Sequence, residues 1–214
     1  MNTEAALTHF EDWTLRLRSG TGKKMLLLLH GWTGDENSTS VFTRNLPSEY
    51  WIVAPRAPYP TLPNGFSWRA PAARGSWPTL DLFRPSIEKL VSLIDQLAAA
   101  NKLDGTQIDV AGFSQGGALT FSFGLLHPDR VRRMGILAGF APNGAEQVLS
   151  GDLLAGKKVF VAHGTLDEMV PIAMAQQAVQ LLKRAGADVT FCESEVGHKL
   201  SVDCLRSFEK FLSN

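Results

Sequence analysis

Val110-Ala111-Gly112-Phe113-Ser114-Gln115-Gly116-Gly117 is the stretch around which the rest of the chain is organised. It contains Gly-x-Ser-x-Gly, a pattern in which a serine stands on a sharp turn between a strand and a helix. Residues 107–111 favour a strand, and the apolar segment that follows favours a helix as far as Pro128. Such a turn brings neighbouring backbones close together, so glycines are needed beside the serine. The stretch therefore predicts a serine hydroxyl at a strand end, beside the free N–H groups of a helix.

The segments on either side of this turn mostly alternate between strand and helix patterns. Residues 24–30 are apolar on both faces, as in a central strand that is covered on both sides. The predicted strands are residues 13–18, 24–30, 50–54, 107–111, 134–138, 158–163 and 188–192, and the predicted helices are residues 38–46, 85–100, 117–127, 171–185 and 201–212. The alternation indicates a mainly parallel sheet with helices on both faces. Functional loops are then expected at the carboxyl ends of the strands.

Composition narrows the class of protein. The chain has 214 residues, which suits a single domain over residues 1–214. A formal net charge of zero argues against a nucleic-acid partner held by bulk charge. No apolar run reaches the roughly 20 residues of a membrane span, and the N-terminal residues hold no run of signal-peptide length. We expect Cys192 and Cys204 to be two ordinary reduced thiols in a cytoplasmic protein.

The serine needs a base, and the chain has five histidines. In active sites built on this turn, the acid and then the histidine follow the serine along the chain. His198 meets this order, because it lies in a loop beyond the last predicted strand. His30 and His163 close predicted strands and are interpreted as structural, and His127 is interpreted as a residue at a helix end.

The acid that orients the histidine is expected in the loop after strand 158–163. Asp167 is the preferred candidate, and its neighbour Glu168 is the alternative. A carboxylate there would accept a hydrogen bond from the histidine and stabilise its protonated form.

Two backbone N–H groups should face the oxygen on which negative charge develops. One is expected from Gln115, directly after the serine. The other is expected from Trp32, in the loop that follows strand 24–30. Because the backbone donates, the Trp32 side chain is free to line a pocket.

Four short blocks carry these candidates: His30-Gly31-Trp32-x-Gly34-Asp35, Gly112-Phe113-Ser114-Gln115-Gly116-Gly117, His163-Gly164-x-x-Asp167-x-x-Val170-Pro171 and Gly197-His198-x-x-Ser201. In kind and order they resemble the signature blocks of the phospholipase/carboxylesterase family, which includes acyl-protein thioesterases and small bacterial carboxylesterases. The resemblance implies an α/β-hydrolase fold. It also implies a catalytic triad of Ser114, Asp167 and His198, with an oxyanion hole from the N–H groups of Trp32 and Gln115. The chain departs from the family pattern at an extra residue, Thr33, and in residues 65–69, which follow the substrate loop only loosely.

Together these features predict a serine esterase that hydrolyses esters of small or medium acyl chains through an acyl-enzyme intermediate. The expected partner is a small ester or thioester, and no metal or organic cofactor is implied. One alternative is a thioesterase acting on acyl-proteins or acyl-CoA, or a lysophospholipase. Another is a non-catalytic ligand-binding relative, which should have a broken triad.

Residues 55–80 are rich in proline and predict an irregular loop over the site. The loop contains Arg56, Arg69 and Arg74 and no acidic residue. The residues expected to bind substrate are Trp32, Phe66, Trp68, Arg69 and Met169. Aromatic rings would form an apolar wall for the acyl chain, and an arginine could contact a polar or anionic part of the substrate. Alternatively, the rings pack the loop onto the body and the arginines are solvated.

Overall fold

A computed structural model describes residues 5–42, 45–71 and 77–213, and an eight-stranded sheet dominates it. The strands are β1 Ala6–Phe10, β2 Trp13–Arg18, β3 Met25–Leu29, β4 Trp51–Pro55, β5 Tyr59–Pro60, β6 Phe66–Ser67, β7 Ile108–Phe113, β8 Val131–Leu137, β9 Lys158–Gly164 and β10 Asp188–Ser194. The helices are α1 Leu80–Asn101, α2 Gln115–Leu126, α3 Ala145–Val148, α4 Ile172–Arg184 and α5 Val202–Ser213. Strands β5 and β6 form a separate two-stranded hairpin.

The large sheet has the strand order β1-β2-β4-β3-β7-β8-β9-β10. Strands β1 and β2 pair antiparallel, as do β2 and β4, whereas all pairs from β4 to β10 are parallel. The prediction of a mainly parallel sheet is therefore confirmed. Because parallel strands end at the same edge, the loops after β3, β7, β9 and β10 are gathered at one edge of the sheet.

Strand β3 shows how the sheet is covered on both faces. All five of its residues are buried. Leu27 and Leu29 belong to one apolar cluster and Leu26 and Leu28 to another, as the alternation of side chains along a strand requires. Helix α5 contributes Phe208 to the second cluster, while α1, α2 and α4 contribute to the first. A strand that is buried on both faces is apolar throughout, which is why this strand could be predicted from the sequence.

Several local features differ from the sequence expectations. Residues 55–80, which were expected to be irregular, contain the short hairpin of β5 and β6. Helix α1 begins at Leu80, before the expected Pro85, because the buried Leu80 and Phe83 give its first turns an apolar anchor. Residues 38–46 contain only a single 3-10 turn, Ser40–Phe42, within the described part. Strand β1 was not predicted, because its hairpin turns at Glu11, which has φ 48 without being the glycine that signals such turns.

The prediction of two reduced thiols is wrong in this structure. Cys192 on β10 and Cys204 on α5 form a disulfide, with their Cα atoms 5.8 Å apart. The chain returns on itself after β10, so that the first turn of α5 packs against that strand and brings the two sulfur atoms together. The cytoplasmic location was inferred from free thiols, and the disulfide removes that support. None of the helices in the described ranges is long and apolar enough to cross a membrane.

Candidate active site

Ser114 stands between β7 and α2 with a backbone conformation that few non-glycine residues adopt. Its φ is 55° and its ψ is −115°. Its N–H donates to the Leu137 carbonyl oxygen at 2.8 Å, which ties the turn to the neighbouring strand β8. Conformations of this kind cost about 1–3 kcal/mol and persist where the surrounding structure enforces them. The strand, the strained turn and the helix confirm the local structure that the Gly-x-Ser-x-Gly pattern predicts.

The glycines on either side allow this turn to pack. A Cβ atom on Gly112 would lie 2.2 Å from the Gly116 carbonyl oxygen, and one on Gly116 would lie 2.1 Å from the Leu29 carbonyl oxygen. Neither distance is compatible with a side chain. The turn therefore sits directly against the end of β3, where the Trp32 loop begins.

The structure brings His198 and Asp167 together. His198 Nδ1 lies 2.7 Å from Asp167 Oδ2, and the carboxylate is buried. Its other oxygen, Oδ1, accepts hydrogen bonds from the N–H groups of Met169 and Val170, each at 2.9 Å. Glu168, the alternative acid, is exposed. The geometry thus favours Asp167 as the partner of the histidine.

His198 also lies beside the serine turn. Its ring centroid is 4.9 Å from that of Phe113, the residue before Ser114. Among the described residues, no hydrogen bond joins the Ser114 hydroxyl to the His198 imidazole. Catalytic hydrogen bonds are often long before substrate binds and tighten in the reacting complex.

His163 lies beneath the acid and is structural, as interpreted from the sequence. Its Nε2 is 2.7 Å from the Val170 carbonyl oxygen, so this nitrogen carries the proton and donates. The same atom is 3.4 Å from Asp167 Oδ2. Burial lowers the pKa of His163, which favours the neutral ring.

His30 anchors the start of the loop that was expected to supply one N–H group. Its Nδ1 is 2.7 Å from the Gly31 carbonyl oxygen, and its Nε2 accepts a hydrogen bond from the Ala57 N–H at 3.0 Å. Burial lowers the pKa of this histidine as well. Both ring nitrogens are occupied, so His30 braces the loop and is not available as a base.

The extra residue, Thr33, has a clear structural place in this loop. It adopts φ 65, and its N–H donates to the Phe66 carbonyl oxygen at 3.0 Å. The Phe66 N–H donates in turn to the Gly34 carbonyl oxygen at 2.9 Å. A Cβ atom on Gly65 would lie 2.0 Å from the Thr33 carbonyl oxygen. The loop that carries Trp32 is therefore clasped to β6.

The side chain of Gln115 makes a second clasp, which sequence reasoning missed. Its Oε1 accepts a hydrogen bond from the Trp68 N–H at 2.8 Å, and its Nε2 donates to Ser67 Oγ at 3.1 Å. The Trp68 indole N–H donates to the His30 carbonyl oxygen at 2.8 Å. Residues 67–68 are thereby fixed to both segments that were expected to form the oxyanion hole. The only sequence signal was an amide side chain directly after the serine.

A cleft of about 400 Å³ opens beside Ser114. It is lined by Trp32, Arg69, Trp77, Pro78, Ser114, Gln115, Phe140, Met169 and Val170. Trp32, Arg69 and Met169 were expected there from the sequence, whereas Phe140 and Val170 were not. Within the described residues, no group of three or more His, Cys, Asp or Glu side chains is arranged to hold a metal ion.

Two residues expected to bind substrate do not line this cleft. Trp68 is fully buried and packs against the His30 ring, with 5.0 Å between the ring centroids. Phe66 lies under the guanidinium of Arg56, at 4.7 Å from the ring centroid. For these rings the loop packs onto the body of the protein, which was the alternative interpretation.

The arginines of residues 55–80 have different surroundings. Arg56 makes two hydrogen bonds to the buried carboxylate of Glu36, at 2.7 and 2.9 Å, so it anchors the loop. Arg69 lines the cleft. Arg74 lies outside the described residues.

Comparison with known proteins places these features in context. A model of the phospholipase/carboxylesterase family matches residues 18–214. A probable carboxylesterase of Oryza sativa subsp. japonica is 27% identical over 208 residues, which cover 90% of this chain and 77% of that protein. Acyl-protein thioesterase 1 of Mycosarcoma maydis is 36% identical over 84 residues, which cover 39% of this chain and 35% of that protein.

Solved structures share the whole fold. The carboxylesterase from Mesorhizobium loti superposes with a TM-score of 0.84 at 23% identity, covering 99% of this chain and 100% of that chain. The Arabidopsis thaliana protein SOBER1 gives a TM-score of 0.73 at 26% identity, covering 89% of this chain and 97% of that chain. The expected α/β-hydrolase fold is confirmed.

Proposed function

Because the chain belongs to the phospholipase/carboxylesterase family, we propose that it is a serine esterase that hydrolyses carboxylic esters of small or medium acyl chains. Relatives named as carboxylesterases and as an acyl-protein thioesterase support hydrolysis of an ester or thioester bond. The finer assignment, a Ser114–His198–Asp167 triad working through an acyl-enzyme, rests on the geometry of this chain.

The strained backbone of Ser114 is the observation that carries the proposal. Ser114 is held at φ 55°, and the preceding residue, Phe113, packs against His198, which is hydrogen-bonded to the buried Asp167. Strain of this kind is concentrated at active sites, where it presents a reacting group. A serine hydroxyl is a weak nucleophile alone and reacts when a neighbouring base accepts its proton.

In the first chemical step, the Ser114 oxygen attacks the ester carbonyl carbon while His198 Nε2 accepts the serine proton. His198 then gives that proton to the leaving alcohol, and the C–O ester bond breaks to leave an acyl-serine. Water attacks this acyl group in the second half-reaction, with His198 again accepting and returning the proton. The short hydrogen bond from His198 Nδ1 to Asp167 supports this cycle, because the carboxylate stabilises the protonated ring.

The negative charge on the carbonyl oxygen would be met by the N–H groups of Trp32 and Gln115. The clasp of Thr33 to Phe66 and the Gln115 side-chain bonds support a rigid arrangement of both donors. Preorganised donors of this kind typically contribute about 10²–10³-fold to kcat each.

The proposal is tested by labelling with a fluorophosphonate and by hydrolysis of 4-nitrophenyl esters. The protein should be labelled and should turn over acetate, butyrate and hexanoate esters. Ser114→Ala should lose the label and nearly all turnover while keeping the parent melting temperature. Ser207→Ala, at an exposed position on α5, is the matched control and should retain both. Turnover by Ser114→Ala near the parent rate would refute the proposed nucleophile.

A thioesterase or lysophospholipase function is the second candidate, favoured by the segment that is similar to an acyl-protein thioesterase. The same triad could cleave either bond, so the test is a comparison of esters and thioesters with identical acyl chains. A kcat/KM at least tenfold higher for the thioesters would favour this alternative. A non-catalytic relative would bind esters without hydrolysing them and would not react with the label.

A further inference from the structure

We propose that Arg69 recognises a carboxylate on the substrate, so that the preferred substrates are esters carrying one negative charge besides the scissile bond. This inference rests on the proposed function, since it names the substrate class of the same cleft. It is carried by the position of Arg69, by the lack of an acidic partner for it among the described residues, and by the composition of the surrounding wall.

Arg69 is presented to the cleft from a fixed backbone. Its N–H donates to Ser67 Oγ at 3.2 Å, and Ser67 Oγ donates back to the Arg69 carbonyl oxygen at 2.9 Å. The preceding residue, Trp68, is fully buried and bonded to Gln115. The side chain lines the cleft together with Ser114. A charged ligand group at Arg69 would therefore lie in the same cleft as the reacting serine.

The Arg69 guanidinium lacks a carboxylate partner among the described residues. Its Nε atom is buried and has no hydrogen-bond partner there. Arg56, Arg130 and Arg132 show the contrast, because each forms a close ion pair with an acid. None of the described residues that line the cleft is acidic, and residues 72–76 contain no carboxylate in the sequence. A buried donor without an acceptor is costly, so a ligand that supplies the acceptor gains affinity.

The residues around Arg69 favour a ligand group with a single negative charge. The lining of the cleft is mostly apolar, with Trp32, Trp77, Phe140 and Met169, and such a lining weakens screening by water. Arg69 is the one cation among the described residues that line the cleft. It balances the single charge of a carboxylate better than the ~1.5–2 charges of a phosphate monoester. A guanidinium also matches the two oxygens of a carboxylate with a pair of parallel hydrogen bonds.

The test compares substrates that differ only in this charge. For a carboxylate on the acyl side, 4-nitrophenyl hemiadipate is compared with 4-nitrophenyl hexanoate. For a carboxylate on the alcohol side, 4-acetoxybenzoate is compared with 4-acetoxybenzamide. The proteins are the parent, Arg69→Gln, Arg69→Lys and Arg184→Gln, which removes the same charge from an exposed position on α4.

In at least one pair, we expect Arg69→Gln to lower kcat/KM for the charged ester by about 10- to 100-fold, mostly through KM, and to change the neutral ester less than threefold. Arg69→Lys should recover part of the loss, and Arg184→Gln should match the parent. Equal losses for charged and neutral esters would overturn the proposal and would indicate that Arg69 acts on the reacting oxygen or on the fold. The absence of any charge preference in both pairs would also overturn it.

A binding measurement separates this proposal from the proposed function. Monomethyl adipate and methyl hexanoate are titrated calorimetrically into Ser114→Ala and into Ser114→Ala/Arg69→Gln. Tighter binding of the monoanion that disappears with Arg69→Gln would support Arg69 recognition even if no ester were hydrolysed. Hydrolysis that depends on Ser114 without this difference in binding would leave the esterase standing and remove the Arg69 proposal.

Discussion

Asp167 and Glu168 are adjacent in the sequence but have opposite surroundings, and this gives a matched pair of variants. Asp167 is buried and bonded to His198 at 2.7 Å, whereas Glu168 is exposed. Asp167→Asn should lower kcat by about 10³–10⁴-fold, because an amide favours the wrong histidine tautomer. Glu168→Gln should change kcat by less than threefold. Steady-state kinetics on a 4-nitrophenyl ester measures both, and the opposite ranking would move the acid to Glu168.

Trp68 is expected to matter for stability and not for chain-length selection. It is fully buried and donates its indole N–H to the His30 carbonyl oxygen. Trp68→Ala should lower the free energy of unfolding by about 3–5 kcal/mol. Thermal unfolding measures this loss, and the relative kcat/KM values for acetate, butyrate and hexanoate esters should stay within twofold of the parent pattern.

Met169 provides the control for that experiment. It is 63% exposed and lines the cleft, so Met169→Ala should leave the melting temperature nearly unchanged. It should raise KM most for the longest ester, because each buried CH₂ contributes about 0.8 kcal/mol. A change in chain-length preference in Trp68→Ala but not in Met169→Ala would contradict this prediction, because it would mean that the Trp68 ring contacts the acyl chain.

Single residues also show where sequence reasoning stops. His198 and Asp167 could be chosen from order along the chain, because the loops after parallel strands meet at one edge. Trp68 and Arg69 are neighbours in a loop. The loop has no regular alternation of apolar and polar residues, so the sequence does not indicate which of the two side chains is buried. The Gln115 clasp depends on a loop that is 47 residues away in sequence, so no local pattern could reveal it.

At the scale of elements, the disulfide joins β10 to α5 across the loop that carries His198. The bonded cysteines are 12 residues apart, and His198 lies midway between them. The paired variant Cys192→Ser/Cys204→Ser should lower the free energy of unfolding by about 2–3 kcal/mol, because the open loop gains freedom in the unfolded chain. Urea unfolding with and without a thiol reductant measures this.

The double cysteine variant also serves as the control for effects of the reductant that do not involve the disulfide. Reductant should destabilise the parent to the level of the variant and should leave the variant unchanged. An equal response of both proteins to reductant would mean that the bond contributes nothing to stability.

Strands and helices could be predicted from the sequence where a whole strand, or one face of a helix, is buried. Strands β3, β7 and β9 are buried over almost their whole length and have apolar centres, and helix α4 has one apolar face. The edge strand β1 is half exposed, so its pattern resembles that of a loop. The disulfide could not be predicted, because the pairing follows from the packing of α5 on β10 and not from spacing.

At the scale of the whole molecule, two buried histidines make stability depend on pH. Burial lowers the pKa of His30 and His163, while the unfolded chain titrates near the ordinary value of about 6.5. The unfolded state therefore binds more protons below pH 6.5, and stability falls on acidification. Each histidine contributes at most about 1.4 kcal/mol per pH unit in the window between its folded pKa and 6.5. Above pH 6.5 this contribution is constant.

Urea unfolding at pH 7.5, 6.5 and 5.5 checks this expectation. His163→Gln should show a smaller fall in stability between pH 6.5 and 5.5 than the parent. His9→Gln, at an exposed position on β1, should keep the parent slope. A parent protein that is equally stable at all three values would contradict the expected linkage.

The β5–β6 hairpin has a consequence for how this enzyme class could be diversified. Its base is held by the Thr33–Phe66 backbone bonds and the Gln115 clasp, whereas Leu62 at its tip is 92% exposed. New sequence inserted between residues 62 and 64 would therefore extend outward, while the base of the hairpin stays bound to the turn that carries Ser114. Exposed tips of this kind tolerate insertions well. The hairpin tip is thus a position where an inserted segment could contact larger substrates without changing the residues around Ser114.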